Sequence, residues 1–585
     1  MTRLSGVPIV VVPLFILAAC SDHSPVAPAV ATCTSTTQGV TLGPSQAITV
    51  PAAELSTCLS LPANGATYIV VPQFATAATS VTPISYELGG QGGIVSASIN
   101  AALVRGNVQA AGSLHVNPAQ RQFDHLLRTR ERQLARVTPV AALRAEILAS
   151  QAAPAAAPPA PPAVGSTRAF FVCGDFTCDT TRFVTDTAVL KFAGTNILLY
   201  VSTKAPAPPG GLSDAQLMAF GTLFDQTLYG IDVRTFGPPS DIDQNGRVIV
   251  LMSPAVNAIT PANTCDSEGF VAGFFFGGDL IPSASHSNKG EIYYTLAPDP
   301  TGKFSCAHTA QDIESLTGST FLHELLHMIN FSEKVLVHGD NDTEVEFLDE
   351  GMAKIAEELG ARYYEQKFPP PTGRTNPAQI FPDSAQDFIT GDLFDSYSFL
   401  LSSNGSTVTL SSGASTVPDA GAEWLFLRWL GDQKDSTIYT RIVQSALTGV
   451  PNLEAQAGEP LAKLFGDFSM ALYTDSLAGI PRSQVPTRDR FVSRNLRQLY
   501  QALFNAVTDH TQVPQPFPIV LKTLAPSTAV TGRLLPGTMD FYRFTMPSSG
   551  GAAQLHFSQP GGAAFAASVG AQVSVFRCPS AQACP

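Results

Sequence analysis

The spacing of apolar positions divides the chain into stretches of different character. From Cys33 to about 114, short apolar runs are broken by Gly, Pro and Asn: Ala47-Ile48-Thr49-Val50, Tyr68-Ile69-Val70-Val71 and Ile84-Ser85-Tyr86. Runs of this length between turn residues predict strands. Residues 21–115 are therefore read as an N-terminal β-rich domain, a small sandwich preceded by a Pro/Ala-rich tether at 21–32. The period then changes. Phe123, Leu126, Leu127 and Leu134 recur at helical spacing, with five Arg between 121 and 136, which predicts a packing helix or solvated linker rather than a lipid-binding one. The run AAPAAAPPAPPAV at 152–164 is a semi-rigid polyproline-type spacer. Residues 116–166 are thus a helical segment plus linker, and the spacer is the clearest domain boundary.

A large domain is expected over 167–512. It opens on strand text (Phe170-Phe171-Val172; Asn196 to Val201), followed by a helix with Ser213 as N-cap and Leu217, Phe220, Phe224 and Leu228 as its apolar stripe. Val248 to Leu251 and Glu291 to Tyr294 are further strands, and helices dominate after about 311. From 513 to 585 strands and turns return, as in the run from Leu535 to Phe544, predicting a C-terminal β-sandwich domain. The expected fold class is multidomain α+β: a mixed sheet with a helical subdomain, flanked by N- and C-terminal β-sandwich-like domains.

Residues 1–20 differ from all of this. Arg3 is followed by an apolar stretch from Ile9 to Leu17, then Leu17-Ala18-Ala19-Cys20. A short apolar core ending in small residues predicts an export signal. The tetrad resembles a bacterial lipobox, which implies that Cys20 becomes the lipidated first residue of an anchored lipoprotein, with simple secretion as the alternative. Ser21 after the Cys leans towards the outer membrane, facing the periplasm or the cell surface. Beyond this stretch, no apolar run reaches the roughly 18 residues of a membrane span.

Composition narrows the function. Hydrophobic residues at 44% and charged residues at 14% allow large cores and exclude wholesale disorder. The net charge of -13 argues against nucleic acid, whose phosphates demand a cationic surface. Nine cysteines leave eight once Cys20 is set aside. Proximity favours Cys33–Cys58, Cys173–Cys178, Cys265–Cys306 and Cys578–Cys584 as disulfides, consistent with an oxidising compartment.

The chemistry centres on His323-Glu324-Leu325-Leu326-His327. On a helix the two histidines lie within about 40° of each other, so both can ligate one Zn²⁺. Glu324, about 60° round from His327, can reach a zinc-activated water as general base without binding the metal. Ten His and eighteen Glu in the chain give only about 0.005 chance occurrences of this pattern. A catalytic zinc needs a third protein ligand. The metzincin pattern is disfavoured, because Asn330 and Glu333 stand where it needs glycine and histidine. Downstream, Glu346 to Glu358 reads as a second helix with Glu350 in its first turn and Gly351 leaving room for a close neighbour. Glu350 is the first candidate and Glu333 its rival. Asp349 and Glu346 are candidates for orienting a ligand imidazole. An oxyanion stabiliser is also needed. Tyr397, Tyr363, Tyr364, Tyr439 and His338 are candidates, with Tyr397 preferred, although spacing does not choose among them.

HELLHMIN followed by FLDEGMAKIAEE resembles the hyicolysin family of bacterial neutral metallopeptidases, zincins of the gluzincin type. The resemblance covers about 167–510. It implies a zincin-like catalytic domain with His323, His327 and Glu350 on zinc and Glu324 as base. It also implies that GEIYYTL is the edge strand that pairs with substrate backbone, and that Ala422 to Leu430 is a helix after the site. No GxMEN-type segment is evident, so an endopeptidase acting on proteins or peptides is preferred over an aminopeptidase. A non-catalytic binding lipoprotein on a degenerate peptidase fold is the other alternative. Asp241-Ile242-Asp243-Gln244-Asn245-Gly246 looks like the start of a calcium loop, but its twelfth position is Met252, and a turn is the better reading. The segment 21–166 is a candidate inhibitory prosegment, although nothing in it resembles a zinc-blocking ligand strand.

Overall fold

The structure, a computed structural model, describes residues 39–90, 96–97, 118–145, 159–368, 380–435, 437–477, 480–508 and 510–584. The export signal, Cys20, Cys33 and most of the Pro/Ala spacer lie outside the described residues. In chain order the strands are β1 (Ala47–Pro51), β2 (Thr67–Phe74), β3 (Ile84–Gly90), β4 (Ser96–Ala97), β5 (Thr167–Val172), β6 (Val184–Ala193), β7 (Ile197–Ser202), β8 (Val248–Met252), β9 (Gly273–Phe275), β10 (Ile292–Thr295), β11 (Lys522–Leu524), β12 (Ala529–Leu534), β13 (Tyr542–Thr545), β14 (Leu555–Ser558) and β15 (Ala571–Arg577). The helices that shape the site are α1 (Pro118–Val137), α2 (Asp214–Leu223), α3 (Ala310–Phe331), α4 (Glu346–Lys367), α5 (Asp383–Leu401) and α6 (Val417–Gln433). Among the described residues no helix is long and apolar enough to cross a membrane.

Strands β5 to β10 form a six-stranded mixed sheet in the order β5-β6-β7-β8-β10-β9. β7, β8 and β10 run parallel, and β9 closes one edge antiparallel to β10. β8 and β10 are buried along their whole length, which is why their text is continuously apolar rather than alternating. GEIYYTL is therefore an interior strand and not the edge. The edge is β9, three residues inside an apolar run flanked by Gly, too short to show a strand period. Ser213 caps α2 with a reciprocal bond to Gln216, as its sequence predicts.

The flanking β stretches do not form separate N- and C-terminal domains. β1, β15, β2, β13 and β11 make one five-stranded sheet, and β14, β3, β12 and β4 make a four-stranded one. Each sheet mixes strands from before residue 98 with strands from after residue 521. Tyr68, Val70, Leu88, Val530, Phe557 and Val573 share one core between the sheets. The intervening β2 residues Ile69 and Val71 face the other way, into the core of the large domain. Two buried faces explain the unbroken apolar run at 68–71. Three of the four expected disulfides are present: Cys173–Cys178, Cys265–Cys306 and Cys578–Cys584. The fourth involves Cys33, outside the described residues.

Leu88 and Phe557 are register partners across β3 and β14, both buried. Leu88→Ala and Phe557→Ala are each expected to cost about 2–5 kcal/mol. In a double-mutant cycle by chemical denaturation they should couple by roughly 0.5–3 kcal/mol, whereas strictly additive losses would indicate two separate β domains.

Candidate functional site

Helix α3 begins at Thr309, whose hydroxyl and the Asp312 carboxylate form a capping box. Its last eleven residues, Phe321 to Phe331, are all buried, because α3 packs on β9 and β10 on one side and on α4 and α5 on the other. His323 and His327 thus sit buried, one helical turn apart, with ring centroids 4.8 Å from each other. Helix α4 brings Glu350 to the same point. Gly351 permits the close approach of α6 behind it: a Cβ there would lie 2.9 Å from Leu427 Cδ1 and 3.1 Å from Glu423 Cβ.

The geometry is convergent. His323 Nε2 lies 3.5 Å from Glu350 Oε2, and His327 Nε2 lies 3.5 Å from Glu350 Oε1. Both Nε2 atoms and Glu350 Oε1 are buried without a hydrogen-bond partner. Buried polar atoms left unpaired are costly, and these three face one another. His323, His327 and Glu350 could hold a metal ion. The opposite ring nitrogens are braced by carboxylates: His323 Nδ1 is 2.8 Å from Glu357 Oε1, and His327 Nδ1 is 3.1 Å from Asp349 Oδ1. Such bracing orients an imidazole so that Nε2 is presented to a metal. Glu357 is itself held by Ser319 Oγ at 3.0 Å and Lys354 Nζ at 3.1 Å.

Glu324 stands beside this group but outside it. Its Oε2 accepts from the Phe275 amide of β9 at 2.9 Å, while Oε1 is buried and unpartnered. Burial, reinforced by the Asp124 carboxylate, pushes its pKa up to about 8. Burial acts to lower the pKa of His323, but the Glu350 and Glu357 carboxylates outweigh it and push the imidazole up to about 10. Glu350 moves the other way: burial opposes its charge, but His327, His323 and Arg121 together hold it well below the usual carboxylate range. A cavity of about 160 Å³ opens over His323 and Glu324, lined also by Thr320, Lys354, Phe388 and Asp395.

Other expectations fare differently. Tyr397 is turned away: its hydroxyl donates to the Gln515 carbonyl at 2.5 Å and lines no part of the cavity. Tyr439 donates to the Leu427 carbonyl, and His338 Nε2 bonds the Gln444 carbonyl. Tyr363 and Tyr364 pack on each other further along α4. Glu333 falls in a π-helical turn after α3, outside the metal-competent group. Of the two imidazole-orienting candidates, Asp349 is in place, whereas Glu346 Oε2 lies 3.7 Å from His125 Nδ1 of α1. Glu357 was missed, although it lies seven residues after Glu350 and hence on the same helix face. Asp241, Asp243 and Glu291 also bring one oxygen each within 4.8 Å of the others. Glu291, the residue just before β10, also accepts at Oε1 from Ser240 Oγ and the Ile242 amide.

Over 174 residues the chain is 28% identical to "Neutral metalloprotease ShpI" of Staphylococcus hyicus, covering 29% of this chain and 36% of that protein. The chain thus matches about a third of that relative's length. No family profile matches the chain. The likeness is distant, and the His323, His327 and Glu350 group that could hold a metal ion is compatible with it.

Glu357→Gln is expected to weaken divalent-metal binding about 10–100-fold, read by chelator competition, because the His323 ring loses its brace. Since the His323 proton must leave before Nε2 can donate a lone pair, metal uptake at pH 7 should release a proton and tighten as pH rises towards about 10. Calorimetry in buffers of different ionisation enthalpy measures that proton.

Proposed function

We propose that the protein is a zinc endopeptidase of the hyicolysin, gluzincin type. The observation that carries this is the convergence of two unpartnered imidazole nitrogens and one unpartnered carboxylate oxygen beside a fourth residue, Glu324, with an unpartnered oxygen of its own. Two nitrogens and a carboxylate oxygen suit zinc and leave a position for chemistry. When bound, zinc supplies a Lewis acid that polarises the peptide carbonyl and acidifies water.

The chain's own residues do the rest. Glu350 and the two histidines are held in place by Asp349, Glu357 and the packing of α3 on α4, so their geometry is set before substrate arrives. Glu324 Oε1 accepts a proton from the attacking water and passes it to the departing amine nitrogen. The substrate backbone adds to the β9 edge of the six-stranded sheet, and the Phe275 amide ties Glu324 to that same edge.

The exported placement belongs to the same proposal. Lipidated at Cys20, the enzyme would be held on the outer membrane, acting on protein or peptide substrates in the periplasm or at the cell surface. An aminopeptidase with the same centre remains the second catalytic reading, and one peptide compared with free and acetylated N-terminus separates the two.

Glu324→Gln is expected to retain one zinc per chain while cleavage of casein falls about 10²–10⁴-fold. Unchanged turnover would remove Glu324 from the reaction, and absence of zinc from the wild-type chain would remove the reaction altogether. Cys20→Ser should move the protein from the membrane pellet to the soluble fraction, as followed by immunoblotting of fractionated cells.

A further inference from the structure

Helix α1 buries an unusual face. Arg121, Asp124, Arg128 and Glu131, spaced three, four and three residues apart, point inward alongside Phe123 and Leu127. Charged side chains are rarely buried unless their partners require them. A helix packed for stability alone would present an apolar stripe. These charges are spent on the candidate active site and on the edge of β9.

Arg121 Nη1 donates to Glu350 Oε2 at 2.6 Å, leaving Oε1 as the free oxygen of that carboxylate. Gln120 bridges the β9 edge, donating from Nε2 to the Gly273 carbonyl at 2.9 Å and accepting at Oε1 from the Ala272 amide at 2.7 Å. Arg128 Nη2 donates to the Phe275 carbonyl at 3.1 Å, and Glu131 Oε1 accepts from the Gly277 amide at 2.7 Å. Side chains of one helix therefore take up the backbone groups that an added peptide strand would use. Asp124 completes the picture. One of its oxygens accepts from Gln120 Nε2, while Oδ2 is buried with no partner. Asp124, His323 and Glu324 form a second group whose ligand atoms lie within 4.8 Å of one another. It shares His323 with the first group.

We propose that α1 is an internal inhibitor. It lies along β9 in place of an extended peptide, and Asp124 offers the metal a further oxygen from within the chain. With α1 in place access to the site is restricted, and displacing α1 opens both the edge strand and the metal. The proposal rests on the zinc-peptidase reading for the metal and on the α1 contacts for the blockade.

The test uses the zinc-loaded full chain and acetohydroxamate, a small metal chelator, as probe, with binding measured by titration calorimetry and zinc counted on the same samples. Asp124→Ala and Arg121→Ala are expected to bind the probe at least tenfold more tightly than wild type, with faster amide exchange across 118–137. A synthetic peptide of residues 118–137 added to either variant should compete with the probe. Should Asp124→Ala lose cooperative melting, Gln120→Ala carries the same expectation, because it unpins both Asp124 and β9 without removing a charge. Equal probe affinity in wild type and variants, each holding one zinc, would overturn the inhibitor role and leave the peptidase reading intact. Zinc-free samples would overturn both.

Discussion

Five buried carboxylates, those of Glu324, Glu346, Asp349, Glu350 and Glu357, surround two imidazoles, and much of the structure answers their need for positive charge. Away from water, such a concentration of anions is tolerable only beside cations or with protons retained. Lys354 lies within 3.1–3.5 Å of Glu357, Asp392 and Asp395. Arg121 neutralises one oxygen of Glu350, and Arg128 pairs with Glu131 while its charge is felt at Glu324 and Asp349. Among the groups left unmatched are the two Nε2 atoms and Glu350 Oε1, and a divalent cation is the natural complement of the small space between them. The same electrostatics account for the placement of α1, since an arginine-bearing helix is drawn to an acidic cleft.

How much of this was legible in the sequence depended on the distance over which each signal acts. The two histidines, Glu324 and Glu350 were legible because helix periodicity places them without knowledge of the fold. Glu357 obeys the same rule and was within reach. Asp124 and Arg121 were not recognised, because a charged helix reads as solvated unless one knows that an acidic cleft lies opposite; the three-four-three spacing of their charges was the available clue. Tyr397 failed for the converse reason. A tyrosine downstream of a metal motif gives no indication of whether its hydroxyl meets substrate or, as here, a distant carbonyl. The edge strand was misassigned because continuous apolar text marks burial on both faces, which belongs to β10, while the true edge is too short to show a period.

The sandwich was the largest feature that local patterns could not reveal. Strand text on both flanks was read correctly as strands, yet pairing is decided by complementary faces far apart in sequence. β2 lies between β13 and β15, roughly 470 to 500 residues away, with Tyr68 opposite both Phe544 and Arg577. Gln73, buried in β2, donates from Nε2 to both Ser469 Oγ and Ser574 Oγ, joining the sandwich to the helical region.

That interleaving imposes an order on biogenesis. A chain emerging from the ribosome N-terminus first exposes β2 long before either neighbour exists, and its apolar faces stay uncovered while roughly 470 further residues are made. Contacts so remote are slow to form and prone to aggregation while they wait. The architecture therefore favours a chain held unfolded until the strands after residue 521 have been made, with their pairing to β2 and β3 as the closing step.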